Sequence, residues 1–166
     1  MKATTTPAAA LKQNFRHAKV LIIDDNTDHL LLIERAMAKS LPEVECVLTS
    51  GEEAAFAYLS NCMLREARLP KLILLDLYVP TPDAAWRILR RIKSLPEPLS
   101  TIPVVLLSSS ESKEDILEAY KNGASSYLIK PLDAHEWQSR FQMLRTYWWE
   151  TVLLPTPLTP LAKRPW

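Results

Sequence analysis

Five short apolar runs decide most of what this chain can fold into: KVLIID at 19–24, VECVL at 44–48, KLILLD at 71–76, IPVVLLS at 102–108 and SYLIK at 126–130. They are continuous rather than alternating, the pattern of strands covered on both faces, as in a parallel sheet. Segments with helical spacing lie between and after them. Apolar residues recur at three- and four-residue steps as Leu30, Ile33 and Met37, then Ala55, Leu59 and Cys62, then Ala85, Leu89 and Ile92. Ile116 and Tyr120 sit one turn apart behind a Ser112…Asp115 capping pattern. Trp137, Phe141, Leu144 and Trp148 form a longer stripe over 134–150, entered through Asp133…Glu136. Strand and helix therefore alternate five times. That order predicts an α/β fold, a doubly wound parallel sheet with helices on both faces.

A chain of 166 residues suffices for one domain with a full core and little more. Residues 1–17 read as a disordered extension with at most a short helix at 8–15, and 18–150 as the folded unit. Residues 151–166 read as a proline-rich tail in which Leu153, Leu154, Leu158 and Trp166 favour packing on the body. The net charge of +1 gives no bulk field for nucleic acid. No apolar run reaches the ~18 residues of a membrane span, and the first residues lack a signal-peptide core. A cytoplasmic protein is expected. Cys46 and Cys62 lack metal-ligand spacing and are expected as free thiols. His17, His29 and His135 are scattered and read as surface residues. With Gly51 and Gly123 the only glycines, a glycine-rich phosphate loop is excluded.

The polar residues that follow the apolar runs form a set. Strand one ends in Asp24 and Asp25, strand three in Asp76, strand four in Ser108 and strand five in Lys130. In open parallel sheets, ligands bind at the carboxyl ends of the strands. Aspartate is a poor strand residue and resists burial, so an Asp76 closing KLILLD calls for a function. Three carboxylates and one ammonium leave two negative charges, which a divalent ion would neutralise. Oxygen ligands suit a hard cation, Mg²⁺ first, with phosphate oxygens completing its shell. Asp76 is then placed to take a phosphoryl group as an acyl phosphate, with Lys130 and the Ser108 hydroxyl on the phosphoryl oxygens. Asp24-Asp25-Asn26 serves equally well, taken alone, as a helix cap.

LIIDDN, LILLDLYVP, IPVVLLSSS and GASSYLIKP, in this order and spacing, resemble the receiver domain of two-component response regulators. The resemblance covers about residues 18 to 150. It implies the flavodoxin-like strand order 2-1-3-4-5, Mg²⁺ held by Asp24, Asp25, Asp76 and the backbone carbonyl of Tyr78, and Asp76 as phosphoacceptor. It places the switch hydroxyl on Ser108, the lysine on Lys130, a cis peptide at Lys130–Pro131 and the aromatic switch on Tyr127. The donor it implies is a sensor histidine kinase. Such proteins are not enzymes in the turnover sense; they catalyse their own phosphorylation and lose the group slowly. Pro80-Thr81-Pro82-Asp83-Ala84 departs from the family's Pro-x-x-Asp-Gly, so a changed loop is expected. Tyr78 is bulky beside the site, and Ser108 replaces the commoner threonine.

RRIKSLPEPLSTIPVVLLSSS, DILEAYKNGASSYLIKPLD and YWWETVLLP further resemble stand-alone regulators of the bacterial phytochrome type. That resemblance implies a phytochrome-type photoreceptor kinase as partner. It also implies a homodimer through the fourth and fifth of the helical segments above and the fifth strand, with Ile116, Tyr120, Trp137, Phe141 and Trp148 on the face. The alternatives are a receiver-fold interaction scaffold that is never phosphorylated and an aspartyl phosphatase of the haloacid-dehalogenase kind. The second fits poorly, because Asn26 stands where that family carries its second aspartate. A transcription factor is not expected, since little chain follows residue 150.

Overall fold

The apolar runs become five parallel strands, β1 (Lys19–Ile23), β2 (Glu45–Thr49), β3 (Leu72–Asp76), β4 (Val104–Ser108) and β5 (Ser126–Ile129). The computed structural model describes residues 7–65 and 67–155. Leu158, Trp166 and the prolines after Pro155 lie outside the described residues. The strands stand in the order β2-β1-β3-β4-β5. Register aligns Ile22 with Leu74 and Leu74 with Val105. This is the expected doubly wound, flavodoxin-like topology.

Successive side chains of a strand point to opposite faces, so each continuous run feeds two cores. Leu21, Ile23, Ile73, Leu75, Val104 and Leu106 share one core with α3 (Glu52–Leu64), α4 (Pro82–Ser94) and Ala119 of α5 (Lys113–Lys121). Val20, Ile22, Leu72, Leu74, Val105 and Leu107 share the other with α2 (Thr27–Ser40) and α6 (Ala134–Leu144). β3 and β4 are buried along their whole length, whereas the edge strands β2 and β5 are partly open.

The helix starts follow from their caps. The Asn26 side chain accepts from the backbone N–H groups of Asp28 and His29, that of Ser112 from Asp115, and that of Asp133 from His135. In the loop that departs from the family pattern, Thr81 caps α4 and Pro82 occupies its first turn, where a missing N–H costs nothing. Among the described residues the cis peptides are Val79–Pro80 and Glu97–Pro98. The bond Lys130–Pro131, expected cis, is therefore trans. The two isomers of an X–Pro bond differ by only about 0.5–1 kcal/mol, so local packing decides between them.

The aromatic stripe of α6 also departs from expectation. Trp137, Phe141 and Trp148, assigned to a partner face, are buried in the α2/α6 core. The Trp137 and Phe141 rings lie nearly parallel, 6.0 Å apart. After Leu144 the chain continues as a wider π-helical turn over Arg145–Trp149. Trp148 and Trp149, adjacent in sequence, both end up buried. Ile116 is half-buried, and Tyr120 remains exposed on α5.

What covers the second tryptophan is a helix, α1 (Pro7–Phe15), in the segment expected to be disordered apart from a short helix. Its Asn14 is 3% exposed. The Asn14 amide donates to the carbonyls of Trp149 (3.2 Å) and Val152 (2.7 Å), approaches that of Trp148 (3.4 Å), and its oxygen accepts from the Leu154 N–H (3.1 Å). Leu154 packs into the same core while Leu153 stays 65% exposed. Asn14→Ala orphans these buried groups, and we expect it to cost about 2 kcal/mol in denaturant unfolding. Asn14→Asp should cost more at neutral pH, because it turns a carboxylate onto three carbonyl oxygens.

Cys46 and Cys62 are free thiols, and burial pushes the Cys46 thiol up to about 12. No helix among the described residues is long and apolar enough to cross a membrane.

Candidate functional site

Asp24 immediately follows β1, Asp76 ends β3, Ser108 ends β4 and Lys130 immediately follows β5. Because the strands are parallel, all four stand on one rim. The order β1-β3-β4-β5 puts Asp76 between the other carboxylate and the serine. Their burial follows from position: Asp24 is 1% exposed, Asp76 4%, Ser108 0% and Lys130 8%.

Buried charges persist only when paired and hydrogen-bonded. Here the Lys130 ammonium lies 2.9 Å from Asp76 Oδ1 and 3.1 Å from Asp24 Oδ2. The other Asp24 oxygen accepts from the Asn26 N–H at 2.8 Å. This resolves the two readings of Asp24-Asp25-Asn26, since Asn26 does the capping and both aspartates are left to the rim. Asp25 is exposed there, beside the buried pair.

Burial pushes the Asp76 carboxyl above its ordinary value; Lys130 and the Tyr78 N–H offset part of this, while Asp24 adds to it. The sign of the stability linkage follows. A folded-state pKa above the unfolded one means that stability falls as pH rises through the carboxylate range. Asn mimics the protonated acid. In metal-free buffer at pH 7, Asp76→Asn should therefore melt higher than the parent. About 1 kcal/mol corresponds to roughly 2–4 °C in a chain this size, and the gain should vanish near pH 3.

The loop after β4 is tied to the rim at two points. The Ser110 N–H donates to Ser108 Oγ (3.0 Å), and the Tyr127 hydroxyl donates to the Ser110 carbonyl (2.9 Å). Tyr127 is half-buried on β5. Tyr78 stands 43% exposed just past Asp76.

One residue of the site escaped the sequence reading. His29, placed on the surface, brings Nδ1 to 3.0 Å from Lys130 Nζ and 3.3 Å from Asp24 Oδ2. Ligand atoms of Asp24, His29 and Asp76 lie within 4.8 Å of one another. The available signal was its place three residues past the cap Asn26, in the first turn of the helix that leaves the rim.

Residues 20–142 match the sequence pattern of the response regulator receiver domain. The chain is 31% identical over 137 residues to the response regulator Rcp1 of Synechocystis, covering 82% of this chain and 92% of that one. It is 35% identical over 129 residues to a probable methanogenesis regulatory protein, FilR2, of Methanothrix harundinacea, covering 78% and 82%. Among solved structures, the phosphorylated cyanobacterial phytochrome response regulator RcpA superposes with a TM-score of 0.74 at 32% identity, over 84% of this chain and 99% of that one.

Proposed function

Because the chain belongs to the response regulator receiver family, whose pattern spans residues 20–142, we propose that its rim accepts a phosphoryl group on Asp76 from a sensor histidine kinase. The observation that carries this reading is the buried Asp24–Lys130–Asp76 bridge at the carboxyl ends of β1, β3 and β5. In the transfer, the N–P bond of a kinase phosphohistidine breaks as a bond forms from a carboxylate oxygen of Asp76 to phosphorus. The receiver unit we assign to residues 18–150.

The donor set fits a divalent cation. Asp24, Asp25 and Asp76 with Lys130 leave two negative charges, and the ligand atoms of Asp24 and Asp76 lie within 4.8 Å of each other. Asp24, Asp25, Asp76 and the Tyr78 carbonyl would hold it. When bound, a dication supplies charge neutralisation on the transferring group. Lys130 already faces Asp76 and neutralises a phosphoryl oxygen without moving to a new strand. Ser108, now accepting from the Ser110 N–H, turns its hydroxyl to a second oxygen.

That turn releases Ser110, and with it the carbonyl that holds Tyr127. The tyrosine then swings inward, and the change reaches the face formed by α5, β5 and α6. Ile116, Leu117 and Tyr120 are the apolar groups available on α5, the last two being 55% and 52% exposed. A change in homodimerisation or partner binding there is the output. The likeness to Rcp1 and to the phytochrome response regulator RcpA supports a phytochrome-type kinase as donor; a cytoplasmic setting belongs to the same proposal.

Intact-mass measurement after incubation with acetyl phosphate tests the reading. We expect a gain of one phosphoryl group that requires Mg²⁺. No gain from acetyl phosphate, from a histidine kinase or as a beryllofluoride adduct would leave an interaction scaffold on a receiver fold.

A further inference from the structure

His29 is not needed for the chemistry above, yet its ring reaches the centre of the site. The Lys130 ammonium has hydrogens to give and no lone pair to accept with. A hydrogen bond across the 3.0 Å from Nζ requires the His29 tautomer whose Nδ1 accepts, and in that tautomer the 3.3 Å approach to Asp24 Oδ2 is a close contact rather than a donated bond. Lys130 directs its charge at three acceptors: Asp76 Oδ1, Asp24 Oδ2 and this nitrogen. Ligand atoms of His29, Asp24 and Asp76 lie within 4.8 Å of one another, so a dication entering from the exposed side of the ring would meet an imidazole nitrogen together with the carboxylates.

We propose that His29 is a metal ligand of this pocket, making it a mixed nitrogen–oxygen site that takes a first-row transition dication such as Mn²⁺ in preference to Mg²⁺. The chemistry follows from the donor types. Mg²⁺ is hard, keeps its water and gains little from imidazole, whereas transition dications bind imidazole nitrogen well. Three features of the fold prepare the residue. Its backbone N–H is fixed by the Asn26 cap at 3.2 Å, which anchors the first turn of α2 at the rim. Its side chain is 37% exposed, so the ring has room to turn toward an incoming ion. Asp24 and Asp76 are buried and cannot follow a mobile ion outward, so an ion must come to them. The inference rests on the receiver reading, since the same carboxylates serve both.

The test is a pair of titrations on the full chain, read by calorimetry, with Mn²⁺ and with Mg²⁺ separately. For His29→Ala we expect Mn²⁺ affinity to fall at least about tenfold, the loss that removal of even an outer partner brings at metal sites. Mg²⁺ affinity should change less than about twofold. Electron spin echo spectra of the Mn²⁺-loaded parent should show modulation from a bound nitrogen. That modulation should disappear in His29→Ala and persist in His17→Ala and His135→Ala. Equal losses for both ions, or a parent spectrum without nitrogen, would overturn the proposal and leave His29 as a hydrogen-bond partner of Lys130. Failure of the parent to bind either ion would overturn the receiver reading along with it.

Discussion

Asp76→Asn takes up no phosphoryl group from acetyl phosphate or from a kinase, and its intact mass stays that of the unmodified chain. The loss is complete because the substitution removes the nucleophile and almost nothing else. An amide oxygen is too weak a nucleophile to displace a phosphoryl leaving group, while its size and planarity match the carboxylate. Neither neighbouring acid is placed to substitute. Asp24 is buried with one oxygen on Lys130 and the other on the Asn26 N–H. Asp25 is exposed, and Lys130 pairs with Asp24 and Asp76 rather than with it. Far-ultraviolet circular dichroism should be unchanged, and by the linkage argument above the variant melts higher rather than lower at neutral pH. Persistent labelling of a folded Asp76→Asn protein would move the acceptor elsewhere.

Lys130→Met, in metal-free buffer at pH 7, should destabilise the chain by about 3 kcal/mol. Methionine keeps the apolar stem and drops the charge, so the cost reads the electrostatics alone. Two carboxylates that are 1% and 4% exposed then face each other without a cation. Urea unfolding gives the magnitude, and two further conditions identify the cause. Lowering the pH through the carboxylate range should restore part of the loss, because a protonated acid needs no counter-charge. Adding Mg²⁺ should stabilise the variant more than the parent, since the ion replaces the missing charge. A loss under about 1 kcal/mol, indifferent to both, would mean that Lys130 is not the charge holding these acids.

The sheet was readable because a parallel strand buried on both sides leaves no alternative to a continuous apolar run, and the rim followed from the residue after each run. The caps Asn26, Ser112 and Asp133 were equally legible, since they act within three residues of themselves. What stayed hidden depends on groups distant in sequence. Trp148, implied by the resemblance to belong to a partner face, is buried together with Trp149. The missing partner is α1, whose composition of alanine and polar residues does not announce that Asn14 reaches the carbonyls over 130 positions away. His29 stayed hidden for a similar reason. Its helix position was evident, but the meeting with Lys130, 101 residues on, exists only once β5 lies two strands beyond β3.

The Asn14 clamp holds the chain at the end of the sheet from which β1 sets out, beside Ala18 and Lys19, whereas the acceptor stands where β3 finishes. Five strand residues at ~3.3 Å each separate the two ends by roughly 16 Å, more than the ~10 Å over which exposed charges sense one another in about 0.1 M salt. A dye or spin label attached to α1 therefore watches the molecule come apart while remaining blind to the charge that arrives on Asp76.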